Sequence, residues 1–188
     1  MSIILASQSP RRKQLLEWAE IQFDVIAADT DESFPEGLSF EEAAEHIALH
    51  KALTVYHQTS HPAILAADTI VVCDEVILGK PSNEEEAVKM LTKLSGNRHR
   101  VITGVAVLHQ GQPHVFSDTT FVQFNELTPS QLHHYVHTYK PFDKAGAYAI
   151  QEWIGVVGIQ SVQGDFYNVM GLPVNRVYKL LQQLKIIA

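Results

Sequence analysis

The residues best suited to chemistry stand near the start of the chain, where Ser7, Ser9, Arg11 and Arg12 follow Ile3-Ile4-Leu5-Ala6. A short apolar run stops at two serines, and Pro10 and three cations come next. Ser9 suits a helix N-cap and Pro10 the first helical position. Cations in a first helical turn oppose the helix dipole and cost stability. A site that holds a polyanion accounts for that cost, because a helix N-terminus and arginines bind phosphate. A charged surface turn is the alternative.

Four further places carry chemistry. Asp68 interrupts the apolar run Leu65–Val72. A buried carboxylate needs a partner, a metal or a cleft, and a structural aspartate bound to backbone N–H groups is equally consistent with its position. Lys80, in Gly79-Lys80-Pro81, is presented by a bend, either as a phosphate ligand beside Asp68 or as a solvated cation. Lys51 shares a helical face with Ile47, Ala48, Ala52 and Val55. Its amine either snorkels to water or reaches a buried anionic site. In Phe142–Gln151, Asp143 and Lys144 can pair, residues 145–147 are small enough for close backbone approach, and Gln151 offers the donor and acceptor that read a base edge. The pairs His133/His137 and His46/His50 have helical i, i+4 spacing. They lack the glutamate of HExxH, no CxxC exists, and they read as solvated helix faces.

Composition limits the alternatives. A chain of 188 residues suits one domain, 1–188. A net charge of -7 argues against a surface that coats nucleic acid, so phosphate-binding cations must be concentrated locally, as at residues 11–13. The single cysteine, Cys73, permits no intrachain disulfide, which fits a reducing cytosol. Ile3–Ala6 has neither the basic lead nor the length of a signal or membrane segment, so no membrane partner is expected.

The positioning elements follow from periodicity. A first helix is expected over about 10–20 and a strand over Gln22–Ala27, then an acidic loop Asp29–Gly37. Ser39-Phe40-Glu41-Glu42 is a capping box that opens a helix to about Tyr56. Ala63–Cys73 reads as a buried strand with a partner at Val76–Leu78. Ser82-Asn83-Glu84-Glu85 reads as a second capping box, with its helix ending before Gly96. Arg100–His109 and Val115–Phe124 read as a hairpin around Gln110-Gly111. Thr128-Pro129 opens a helix with Leu132, Tyr135, Val136 and Tyr139 inward. Gly155–Val162 and Phe166–Met170 read as a second hairpin, and Val174–Leu184 as a closing helix. This mixture predicts an α/β protein with a bent mixed sheet, flanking helices and two lobes around a central cleft. The Asn125–Thr128 turn and the segment near Pro141 are the expected crossings between lobes.

SQSPRR at 7–12, ADTIV at 67–71, GKP at 79–81, DKAGAY at 143–148 and NVMGLPV at 168–174 together resemble the Maf family of nucleoside triphosphate pyrophosphatases. The resemblance spans essentially the whole chain. It implies a fold similar to the inosine triphosphate pyrophosphatases, and hydrolysis of a nucleoside triphosphate to the monophosphate and pyrophosphate with a divalent metal. Asp68 falls at the family's proton-acceptor position, and Ser7, Arg11, Arg12, Glu32, Lys51 and Lys80 match its polar site positions. Arg12, Thr69 and Gln151 match the three specificity positions of the dTTP/UTP branch. Ala149, where a glycine is common, and Glu152 after Gln151 depart from the pattern and are expected to make the rim bulkier and more acidic.

The resemblance implies attack of water on the α-phosphorus with Asp68 as base. Mg²⁺ or Mn²⁺ prefers oxygen ligands, and Glu32, Asp68 and phosphate oxygens are its candidates. Rival readings are the same chemistry on non-canonical nucleotides, or a nucleotide-binding regulator of septum formation without turnover. The expected partner is a nucleoside triphosphate rather than a nucleic acid. The expected location is the cytoplasm, and the expected assembly a two-fold homodimer, dimers being common in the family.

Overall fold

The computed structural model describes residues 2–59 and 61–188. The described residues form seven strands and seven α-helices, in the order β1 (Ile3–Leu5), α1 (Pro10–Trp18), β2 (Phe23–Val25), α2 (Phe40–Thr59), β3 (Ala63–Cys73), β4 (Val76–Leu78), α3 (Glu84–Leu94), β5 (Arg98–His109), β6 (Gln112–Phe124), α4 (Pro129–Tyr139), α5 (Trp153–Gly158), β7 (Ile159–Gln163), α6 (Phe166–Met170) and α7 (Val174–Gln183). A short 3-10 turn lies at Ala145–Ala147. The sheet order is β2-β1-β3-β5-β6-β7, with β4 paired to β3. Strand β1 runs parallel to β2 and β3, whereas β4 is antiparallel to β3 and β7 to β6. The fold is therefore a mixed α/β sheet with helices. None of the helices is long and apolar enough to cross a membrane among the described residues.

The chain forms two compact units. The first takes the N-terminal segment to Thr69, then Thr103–Asp118 and Gly171–Ala188; the second takes Ile70–Ile102 and Thr119–Met170. Strands β3, β5 and β6 contribute residues to both. The chain thus changes unit inside long strands and at Gly171. The expected crossings at Asn125–Thr128 and Pro141 both lie inside the second unit. Polar turns punctuate the local structure there, whereas the changes of unit fall within continuous strands, at Thr69/Ile70, Ile102/Thr103 and Asp118/Thr119, where no turn marks them.

The first unit is built around an unusually close helix. Ala44, Ala48 and Ala52 of α2 are fully buried, and Ala48, Ala52 and Val55 pack with Ile4, Ile64, Ala66, Ala106 and Leu108. Gly104 of β5 completes the approach: a Cβ there would stand 2.2 Å from the Ala44 carbonyl carbon. Such contact demands backbone movement rather than a rotamer change. The Ser39 box is as expected, with Ser39 Oγ accepting from Glu42 N–H and Glu42 accepting from Ser39 N–H.

The second box is displaced by one residue. Asn83 caps α3 by accepting from Glu86 N–H, while the Glu86 carboxylate accepts from Ser82 N–H and Oγ–H. Asparagine is as good an N-cap as serine, and starting at Asn83 places Ala87, Leu91 and Leu94 inward. The second expected hairpin is absent. Residues 153–158 are helical, β7 pairs with β6, and Phe166–Met170 is a helix whose start is held by Tyr167 N–H donating to Asp165 Oδ1. Its apolar run was too short for periodicity to separate strand from helix. Tyr139 is not inward either: it is 36% exposed and stacks on the buried Tyr135.

In the second unit His99, Phe124 and Tyr148 meet edge to face, with centroids 5.1–5.4 Å apart. His99 Nε2 lies 2.7 Å from the Tyr148 hydroxyl. Burial lowers the His99 pKa to about 4 and raises that of Tyr148.

Two outcomes follow from this packing. Gly104→Ala is expected to destabilise the protein by about 2 kcal/mol or more, read as a lowered urea midpoint. The unfolded chain takes up the His99 proton near pH ~6.5, the folded chain only near 4. Between these values the unfolded state holds more protons, so stability is complete above the upper value, falls as pH drops through the window and levels off below it. His99→Phe is expected to reduce the slope of urea stability against pH in that window by up to ~1.4 kcal/mol per pH unit.

Candidate active site

Helix α2 carries Lys51 on its buried face, and the alanine-lined approach to the sheet brings the amine to strand β3. The two readings of Lys51 are thereby separated. Its Nζ donates to Asp68 Oδ1 at 2.6 Å and to Glu32 Oε1 at 2.8 Å rather than snorkelling to water. Lys51 and Asp68 are each 8% exposed. Asp68 therefore has a partner, an ammonium supplied by a helix seventeen residues earlier in the chain. The Glu32 side chain, from the acidic loop, is 47% exposed and forms the outer end of this bridge.

A second cluster surrounds Arg12. Ser9 caps α1 by accepting from Arg12 N–H, and Ser7 Oγ accepts from Ser9 N–H. The Arg12 side chain folds inward. Nε donates to the Gly171 carbonyl at 2.8 Å, Nη1 to Ser7 Oγ at 3.1 Å and Nη2 to Thr69 Oγ1 at 3.0 Å. Thr69 Oγ1 also lies 2.9 Å from Thr103 Oγ1. Burial lowers the Arg12 pKa; the negative charge of Asp68 opposes this, Arg11 adds to it and Glu32 opposes it. The guanidinium directs donors on three nitrogens to acceptors on three segments in one planar, fixed geometry.

Ser7, Ser9, Arg11, Arg12, Glu32, Lys51, Asp68 and Thr69 all belong to the first unit. Lys80 and Gln151 belong to the second, where both are exposed. Lys80 follows β4 in the bend expected for it, and the carbonyl of the preceding Gly79 accepts from Gly146 N–H at 3.0 Å. Gly146 has φ +68, and a Cβ there would crowd Val71 at 3.0 Å. The small residues at 145–147 thus permit the close approach anticipated for them. Lys144 pairs with Asp143 at 2.7 Å. Glu152 is not a free acidic rim: its carboxylate accepts from the Tyr135 hydroxyl and lies 3.6 Å from Lys144 Nζ.

Thr103, Gly171 and Tyr135 are the participants that residue types did not reveal. Thr103 and Tyr135 lie within otherwise apolar patterns. Gly171 contributes a carbonyl from a backbone with φ +114; its only signal was its place in NVMGLPV.

Among the described residues no group of three or more His, Cys, Asp and Glu could hold a metal. His46, His50, His133 and His137 are exposed, as expected of solvated faces. The Glu32 and Asp68 carboxylates nevertheless converge on one cation, Lys51. That all-oxygen pair fits Mg²⁺ or Mn²⁺, which commonly use one or two carboxylates together with substrate phosphates.

Breaking the buried pair has a defined consequence. Lys51→Met is expected to destabilise the protein by about 3 kcal/mol, because it strands the Asp68 carboxylate. Adding Asp68→Asn is expected to recover part of the loss. Urea unfolding of both single variants and the double variant measures the coupling.

Residues 2–184 match the family model described as Maf-like protein. A dTTP/UTP pyrophosphatase from Phocaeicola vulgatus is 48% identical over 97% of this chain and 95% of its own length. A dTTP/UTP pyrophosphatase from Halalkalibacterium halodurans is 47% identical over 96% of this chain and 94% of its own. Among solved structures, a HAM1 protein from Coxiella burnetii is similar at TM-score 0.44 and 16% identity, over 66% of this chain and 73% of that one.

Proposed function

The chain belongs to the Maf family, and from that membership we propose that it hydrolyses dTTP and UTP to the nucleoside monophosphate and pyrophosphate. The observation that carries the reading is the buried Lys51–Asp68 pair, extended outward by Glu32. It holds an acid at a defined place among apolar residues, beside a serine-capped helix start bearing arginines. The names of the relatives support the substrate.

Water is the nucleophile. Its oxygen bonds to the α-phosphorus while its proton passes to Asp68. The bond from that phosphorus to the oxygen bridging to the β-phosphate breaks, and its electron pair leaves with pyrophosphate. Lys51 orients Asp68 by holding Oδ1. Ser7, Ser9, Arg11 and the N-terminus of α1, with Lys51, offset the charge of the triphosphate. Lys80, exposed in the second unit, is a further phosphate ligand. Arg12 acts by holding Ser7, Thr69 and the Gly171 carbonyl in one arrangement. Gln151 pairs with the carbonyl and N3–H edge shared by uracil and thymine. Glu32 and Asp68 would hold a divalent cation, which supplies charge neutralisation of the phosphates when bound.

Asp68→Asn is expected to remain folded, because asparagine still accepts from Lys51, while dTTP turnover falls at least ~100-fold. Turnover near wild type removes Asp68 as the base. Product analysis of the wild type is expected to give dTMP and pyrophosphate; dTDP and orthophosphate would refute attack at the α-phosphorus. A panel of dTTP, UTP, CTP, GTP and 7-methyl-GTP tests the base preference.

A further inference from the structure

The turn that carries Gln151 is held at both ends by one buried hydroxyl. Tyr135 of α4 is fully buried. Its Oη accepts from Ala149 N–H at 3.2 Å and donates to the Glu152 carboxylate. Ala149 and Glu152 are also joined directly, Glu152 N–H donating to the Ala149 carbonyl at 3.1 Å. Gln151 lies between these anchors and is exposed. Lys144, 8% exposed, braces Glu152 from the other side at 3.6 Å. On the far side of the turn α5 begins at once, and a Cβ on Gly155 would stand 1.7 Å from the Ile150 carbonyl oxygen. The turn is therefore confined by a hydroxyl, an ammonium and close backbone packing.

A glutamine amide can present its donor and acceptor in either order. Turned one way it complements the uracil and thymine edge, turned the other way the cytosine edge. Which order is productive depends on where the amide stands against the rest of the bound nucleotide, so a backbone held at one distance and direction favours one edge over the other. A phenol is suited to this because it both accepts and donates, so it fixes two residues on either side of a third.

We propose that Tyr135 and Glu152, braced by Lys144, are positioning residues for base selection, locking the 149–152 turn so that Gln151 meets only the uracil or thymine edge. The proposal rests on the reading of Gln151 as the base-reading group. Glu152 in this account is a structural anion of the turn and adds no negative charge to the face that receives the base.

The test is steady-state turnover of dTTP and dCTP by the full chain carrying Tyr135→Phe, Glu152→Ala, Glu152→Gln or Gln151→Ala, with thermal unfolding of each. Tyr135→Phe and Glu152→Ala are expected to raise the KM for dTTP roughly tenfold with kcat within about twofold, and to lower the dTTP-over-dCTP ratio of kcat/KM by a similar factor. Glu152→Gln keeps an acceptor for the Tyr135 hydroxyl and is expected to retain most of the wild-type ratio. If Gln151→Ala lowers the ratio while folded Tyr135→Phe and Glu152→Ala keep it, the lock is overturned and the role of Gln151 stands. If Gln151→Ala itself leaves the ratio unchanged, the base-reading role falls and the lock falls with it. Should Tyr135→Phe fail to fold, Glu152→Ala decides, since its side chain is at the partly exposed end of the contact.

Discussion

The negative charge on Asp68 is the constraint around which the first unit is organised. It sits buried in a strand that is otherwise apolar but for Thr69, where an unpaired carboxylate would be strongly unfavourable. The partner has to come from another element, because strand neighbours alternate faces and none is a cation. Helix α2 supplies it. Lys51 can reach only because α2 presents alanines to the sheet and β5 presents Gly104, so the helix axis lies close to the strands. The smallness of Ala44, Ala48 and Gly104 is thus part of the electrostatics of the site as well as of its packing.

Arg12 plays a comparable part for the loop after β1. Three donors of one guanidinium meet Ser7, Thr69 and Gly171, which come from the first loop, the middle of β3 and the segment before α7. Distant parts of the chain are held together by a planar group whose geometry is fixed by its own bonding. The resemblance to the dTTP/UTP branch implies a part in specificity for the same residue, and in the proposed function that influence passes through the hydroxyl and loop that it holds.

Local elements were legible where a local cause produces them. The 63–73 strand, the Ser39 capping box and the Gln110-Gly111 turn of the long hairpin stand where turn and cap chemistry put them; both turn residues have positive φ, as a two-residue hairpin loop requires. The expectation of a hairpin at 155–170 failed because six- and five-residue helices carry too little periodicity to be told from strands. The capping box at 82–86 slipped by one because serine and asparagine cap equally well, and only the inward face of α3 chose between them.

By itself the sequence determined the kinds of groups present and their order: a serine-capped basic helix start, an acid in an apolar strand, a lysine on an alanine stripe and a glutamine after small residues. Those features, read together, led to the family. Tertiary structure decided which groups touch. Whether Lys51 turns to water or to Asp68, whether Arg12 faces outward or clamps Thr69, and whether Glu152 faces outward or binds Tyr135 are choices between alternatives of similar local energy. Each is settled by burial and hydrogen-bond satisfaction among residues far apart in the chain, and no local pattern records that.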